Sequence, residues 1–328
     1  VPGSNRPAQV CYDDEGFAMH FPVSGVDVNP LLPFFIAMGI SFFTSMGGVS
    51  GAFLLLPFQV SFLGFTSPAV SSTNLVYNIV AIPSGVYRYI REGRMCWPLT
   101  ITTALGTLPG VFIGFIIRVK YLPDPRAFKL FVGCVLLYTG ARLILDIIKN
   151  ERIRRVGAGA DSKQCTPHES QNKNSLGAIH TLEWSWKRVE YEFGGETYSF
   201  GVPGVLALSL IVGVIGGIYG IGGGAIIAPF IVLFFGLPVY TVAGAALMGT
   251  FLTSIAGVSF YTLIGPYYAQ IGIDVAPDWL LGGMFGLGGF CGMYLGARAQ
   301  KFVPASVIKG ILAVGLLIIS LRYILQFF

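Results

Sequence analysis

Two glycine clusters in this chain could hold negative charge. Gly47-Gly48-Val49-Ser50-Gly51-Ala52, followed by Pro57, recurs as Gly220-Ile221-Gly222-Gly223-Gly224, followed by Pro229, each inside a long apolar run. Gly64 and Gly236 then follow at matching distances. A helix that restarts after a glycine break begins with free backbone N–H groups and the positive end of its dipole. Gly51-Ala52 and Gly223-Gly224 open such second half-helices. A small oxyanion suits that end, as phosphate suits helix N-termini. Glycine is required because a side chain would hold the ligand away from the backbone. The competing reading is that these glycines only permit tight helix packing.

The apolar runs that follow carry polar side chains. Ser71, Ser72, Thr73, Asn74 and Asn78 come after the first cluster, and Thr250, Thr253 and Ser254 after the second. Asn74 and Asn78 are four residues apart and share a helix face. In repeat register Asn78 matches Thr250, and Asn74 matches Ala246. Amides and hydroxyls can donate to an anion without the cost of burying a charge. Each alone serves equally well as interhelical glue, worth about 0.6–2 kcal/mol. Grouped around a nest of amides, they read better as ligands. The candidate substrate-binding set is Gly48, Ser50, Gly51, Ala52, Asn74, Asn78, Gly222, Gly223, Gly224, Thr250 and Thr253.

A chain with 54% hydrophobic and only 11% charged residues is a polytopic membrane protein. No basic stripe is interleaved with aromatics, which argues against nucleic acid. Cys11, Cys96, Cys134, Cys165 and Cys291 are scattered without a CxxC pair, and His20, His168 and His180 lie outside the apolar blocks. No metal site, disulfide framework or cofactor is expected from that pattern. No Asp, Glu or His falls in the middle of a span, and Asp146 lies near an end, four residues from Arg142. An intramembrane enzyme and a proton relay therefore both lack their usual residues. The chain begins at Val1, consistent with loss of an upstream leader, and no visible segment resembles a signal peptide.

Eight apolar blocks, at about 31–63, 66–91, 97–119, 127–149, 204–236, 239–264, 278–300 and 305–327, fall into two halves. The expected organisation is a polar N-terminal segment (1–30), membrane repeat 1 (31–149), a cytoplasmic insert (150–203) and membrane repeat 2 (204–328). Gly106, Gly110 and Gly114 echo Gly288, Gly292 and Gly296, a spacing that lets helices approach closely. Lys129 and Arg142 echo Lys309 and Arg322. Each first block is too long for one span and breaks at its glycines, giving half-helices at roughly 31–46 and 51–63, then 204–219 and 224–236. If each pair returns to its own side, each half crosses an odd number of times and the halves insert in opposite senses. Arg88, Arg91, Arg94, Arg152, Arg154, Arg155, Arg298 and Lys301 then face the cytoplasm, as the positive-inside rule asks. The loop bearing Arg118, Lys120, Arg126 and Lys129 dissents. The fold expected is thus all-α, with two inverted repeats, each a glycine-broken half-helix pair plus three transmembrane helices.

Within the insert, 157–177 reads as flexible. From Leu182 apolar residues alternate through Trp184, Trp186, Val189, Tyr191 and Phe193 to Gly194-Gly195, then Tyr198 and Phe200. That pattern predicts a small cytoplasmic β-hairpin, packed on the membrane domain or on a neighbouring copy in a homo-oligomer.

The run Gly220-Ile221-Gly222-Gly223-Gly224-Ala225-Ile226-Ile227-Ala228-Pro229, the divergent Gly48-Val49-Ser50-Gly51 with Pro57, and Gly292-x-x-x-Gly296-Ala297-Arg298 resemble the TauE/SafE-type sulfite exporter family. The resemblance covers about 31–149 and 204–328. It implies a multi-pass transporter of the bacterial inner membrane, surrounded by lipid, that moves sulfite, an organosulfonate or a related sulfur oxyanion, with export as the expected direction. Ser50 and Ala52, where the second copy has Gly222 and Gly224, put equal use of the two half-sites in question. The open rivals are a sodium-coupled importer, since unwound carbonyls also ligate cations, and a membrane anchor for a sulfur-metabolising enzyme.

Overall fold

The computed structural model describes residues 10–13, 16–46, 49–157, 179–299 and 305–325. Its helices are α1 (Leu31–Met46), α2 (Ala52–Ser61), α3 (Ala69–Arg91), α4 (Trp97–Tyr121), α5 (Pro125–Gly157), α6 (Val202–Tyr219), α7 (Gly224–Phe235), α8 (Val239–Ala269), α9 (Trp279–Ala299) and α10 (Ala305–Leu325). Among the described residues, α4, α6, α8 and α9 contain stretches long and apolar enough to cross a membrane. Each glycine-bearing first block is divided in two, as its composition predicts. Of the segment 157–177, for which flexibility is expected, Gly157 ends α5 and the rest lies outside the described residues, as does the side chain of Asp146.

Two small sheets flank the helices. The predicted hairpin is present as β5 (Arg188–Phe193) and β6 (Glu196–Gly201), and β4 (His180–Trp184) extends it to three antiparallel strands. Gly194 (φ 63°) and Gly195 (φ 82°) form its two-residue turn, where a positive φ at both central positions matches the twist of the strands. Val189, Tyr191, Phe193, Tyr198 and Phe200 are buried on one face. The Tyr191 hydroxyl shares a 2.9 Å hydrogen bond with Thr241 Oγ1 at the start of α8, and Ile179 N–H donates to the Gly93 carbonyl just past α3.

The sequence reading missed a second sheet, β1 (Val10–Asp13), β2 (Gly16–Phe21) and β3 (Val26–Val28), in the segment taken as merely polar. Alternation at Phe17, Met19 and Phe21 was its signal. This sheet meets the opposite end of the helices. Ser24 donates from its N–H (3.2 Å) and Oγ (2.9 Å) to Asp278 Oδ2. Asp278 Oδ1 caps α9 by accepting from Leu281 N–H, and its own N–H donates to Thr73 Oγ1 in α3.

The two glycine stripes act as predicted. A Cβ at Gly106, Gly110 or Gly114 would strike the backbone of α6 at Leu206, Leu210 and Val214, in that order. One at Gly288, Gly292 or Gly296 would strike α1 at Phe34, Met38 and Phe42. The contacts advance together, so α4 runs parallel to α6 and α9 parallel to α1. Gly282 against Thr73 and Gly286 against Val80 make α3 parallel to α9, whereas Gly257 against Leu75 and Gly244 against Tyr89 make α3 antiparallel to α8. Because α1 and α3 both run with α9, the short α2 between them must turn back on α1. Cys134 and Cys291, which fall inside apolar blocks, are exposed on helix surfaces.

Candidate functional site

The restart of α2 and the restart of α7 lie against each other, tied by two asparagines of α3. Asn74 Nδ2 donates to the Ala52 carbonyl (3.2 Å) and to the Gly220 carbonyl (3.0 Å), joining the two breaks. Asn78 Nδ2 donates to the Ile221 carbonyl at 2.9 Å, and its Oδ1 accepts from Ser50 Oγ at 2.6 Å. A further tie follows from Pro57. Proline in α2 leaves the carbonyl four residues earlier without its helical donor, and the Tyr219 hydroxyl supplies one to Phe53 O at 2.9 Å. The four-residue spacing therefore fixed the face of Asn74 and Asn78, while their amides engage protein carbonyls and act as a latch.

The two breaks differ in what their amides meet. In the first, Ser50 Oγ accepts from Ala52 N–H at 3.3 Å. The Tyr77 phenol oxygen faces Gly51 N–H and shares a 2.7 Å hydrogen bond with Ser41 Oγ. Tyr77 is wholly buried, and a Cβ at Gly51 would collide with its hydroxyl. The first restart is thus filled and capped by its own side chains. Gly48 lies outside the described residues.

In the second break, glycine stands at each of the corresponding places: Gly222 for Ser50, Gly224 for Ala52 and Gly249 for Tyr77. No side chain caps α7, and among the described residues no group accepts from the N–H of Gly222, Gly223 or Gly224. Gly222 takes φ +81°, a left-handed turn into the right-handed Gly223 that lets successive N–H groups converge into an anion nest. Hydroxyls surround it. A Cβ on Gly222 would lie 3.1 Å from Thr250 Cγ2, 3.1 Å from Thr253 Oγ1 and 3.2 Å from Ser254 Oγ, and one on Gly223 would lie 2.9 Å from Thr107 Cβ.

Three of those hydroxyls are engaged. Thr107, Thr250 and Thr253 donate to carbonyls of Thr103, Ala246 and Gly249 one turn earlier in their own helices, a local bond these side chains readily exchange. Ser254 Oγ is buried and has no partner. Thr250, Thr253 and Ser254 are fully shielded from solvent, so this conformation is closed. A methyl group at Gly222 would already be tight against three side chains of α8, so entry of an anion requires α7 and α8 to part.

The structure gathers Ser50, Gly51, Ala52, Asn74, Asn78, Gly222, Gly223, Gly224, Thr250 and Thr253 around one junction. Thr107 and Tyr77, which sequence reasoning did not single out, belong to it as well. Thr103 and Thr107, four apart on α4, were the only hint of the former; nothing local marks the latter.

Comparison with known proteins supports the same direction. A family model described as Sulfite exporter TauE/SafE matches residues 33–323. Comparisons with curated proteins and with solved structures find no significant match.

Proposed function

Given that this chain belongs to the TauE/SafE sulfite exporter family, we propose that it moves sulfite or a small organosulfonate outward across the inner membrane through the second glycine break. It is a multi-pass membrane transporter and not an enzyme. The observation that carries the site is the coincidence of unpartnered N–H groups at Gly222–Gly224 with an unpartnered hydroxyl, Ser254 Oγ, beside them. Buried donors without acceptors are costly, and an oxyanion is the ligand that satisfies all of them together.

Helix direction supports an inverted-repeat mechanism. α1, α3 and α9 share one direction and α4, α6 and α8 the other, so α1 opposes α6, α3 opposes α8, and α4 opposes α9. These are the equivalent helices of the two halves. Each broken pair then enters from its own face and the restarts meet between them, the arrangement of transporters that rock one repeat against the other. With the central sheet cytoplasmic, Arg88, Arg91 and Arg94 lie inside, and Asp274 and Asp278 outside. The Asn74–Asn78 latch joins the two breaks and would have to loosen as the site opens. An inside-negative potential drives an anion outward by about 2.3 kcal/mol per charge per 100 mV.

A sodium site at the same carbonyls is disfavoured, because Gly220 O and Ile221 O already accept from the asparagines. The test is efflux of labelled sulfite from proteoliposomes. Outward flux that rises with inside-negative potential and ignores replacement of sodium by potassium supports the proposal. Absence of any sulfur-anion flux rejects it in favour of an anchoring role.

A further inference from the structure

We infer that Arg118 and Tyr261 form a second small-oxyanion site, at the end of the α4–α8 seam away from the central sheet. Arg118 lies one turn before the end of α4, yet its side chain has 0% exposure. Its guanidinium stacks on Phe128, with Cζ 3.7 Å from the ring centroid, and Nη1 donates to the Leu122 carbonyl. Nε and Nη2 are buried with no acceptor. Tyr261 is also fully buried with its hydroxyl unpartnered, and it lies within electrostatic reach of the guanidinium. None of the ion pairs among the described residues involves Arg118.

Arginine does not shed its proton at ordinary pH, and a buried charge is normally paired. A permanent structural arginine would be expected to have a carboxylate or a full shell of carbonyls. Here the remaining Nε–H and Nη2–H groups, with the phenol O–H of Tyr261, can converge on an acceptor that comes and goes. A planar fork of N–H donors suits an oxyanion such as sulfite or a sulfonate better than a halide.

Position gives the site its use, and this step rests on the transport reading above. Thr107, Val111, Phe115 and Arg118 follow one another on one face of α4 at helical spacing, as Thr250, Ser254, Val258 and Tyr261 do on α8. The two helices run in the same direction, so these faces lead from the nest to Arg118 over about 16 Å. Between the ends, Phe115 closes the seam. Its ring packs on Gly257, where a Cβ would come within 2.6 Å, and lies 5.1 Å from the Tyr261 ring. An anion released from the nest would pass Phe115 and be held next by Arg118, which in the proposed orientation is the outer end. One of the four basic residues that depart from the positive-inside rule is thereby given a role.

The test is calorimetric titration of the purified full-length protein with sodium sulfite, alongside sulfite efflux from proteoliposomes. The wild type should bind two anions per chain, and Arg118→Gln one, with efflux reduced at least tenfold. Arg118→Lys, which keeps the charge, should retain the second site with affinity weakened three- to tenfold, separating loss of charge from loss of fold. Tyr261→Phe should weaken only that site, by a similar factor. Gly223→Val should abolish the other site and leave the Arg118 site intact. Unchanged stoichiometry and efflux in Arg118→Gln overturn this inference while leaving the nest standing. One wild-type site that vanishes in Arg118→Gln but survives Gly223→Val supports Arg118 and rejects the nest.

Discussion

Replacing Ser254 with alanine should change stability and binding in opposite directions. The hydroxyl is buried and unpartnered in the closed conformation, so its removal breaks no bond there. A buried unsatisfied polar group costs about 1–3 kcal/mol, and Ser254→Ala should therefore leave thermal stability in detergent unchanged or raise it by about 1 kcal/mol. When an oxyanion sits in the nest, the same hydroxyl donates to negative charge. Such a bond contributes about 1.5–3 kcal/mol, equivalent to a loss of affinity of roughly 10- to 140-fold at 1.4 kcal/mol per decade. Melting curves without anion, and sulfite titration of the same preparation, read the two effects separately. A residue that merely glues helices together would lose stability on truncation and leave affinity alone. That outcome, or equal affinity in the variant, would refute the assignment of the nest to Gly222–Gly224.

Other variants probe the surrounding parts. Gly223→Ala should cut efflux at least tenfold, and Gly223→Val should abolish it without preventing membrane insertion, because a Cβ already lies 2.9 Å from Thr107 Cβ and 3.1 Å from Gly213 Cα; undiminished flux would remove the site. Asn78→Leu strands the Ile221 carbonyl and the Ser50 hydroxyl, and should lower stability by about 1–3 kcal/mol as well as weakening apparent sulfite affinity, with a double-mutant cycle against Ser50→Ala giving coupling of about 0.6–2 kcal/mol. Tyr77→Phe should leave sulfite affinity within about twofold, since the first break is filled by its own side chains; a large loss would show that both half-sites bind. No carboxylate or histidine is among the residues gathered at the junction, so efflux of a sulfonate should vary little across roughly pH 6–8, where histidine would titrate. A steep profile measured in that range would reveal a titrating group in the path.

The duplicated breaks were legible in the sequence because glycine and proline act on the backbone locally, whatever packs around them. The same holds for the Gly106–Gly114 and Gly288–Gly296 stripes and for the hairpin, where alternation and a Gly-Gly turn are short-range signals. What the sequence left open depends on partners distant in the chain. Spacing put Asn74 and Asn78 on one face but could not tell that their amides would meet carbonyls of Gly220 and Ile221, more than 140 residues away. The unequal filling of the two restarts was only hinted at by Ser50 and Ala52, because the group that completes it is Tyr77, one more aromatic in an apolar block. Ser254 and Arg118 were visible by type, but lacking a partner is a property of the folded chain. Only the first sheet, with its period-two pattern in β2, was overlooked despite a readable signal.

The last strand of the central sheet ends at Gly201 and α6 starts at Val202, with no linker between them. The strand therefore passes directly into the helix, and the 18 residues of α6 reach about 27 Å to the break at Gly220. At the far end Trp184 and Trp186 project beside Ile101, Leu105 and Leu206, 57% and 78% exposed, where indole rings favour the lipid headgroup layer. Seated in that layer, the two rings would tie the start of α6 to the membrane surface while its other end meets the break, so sulfite efflux from proteoliposomes is expected to change with bilayer thickness.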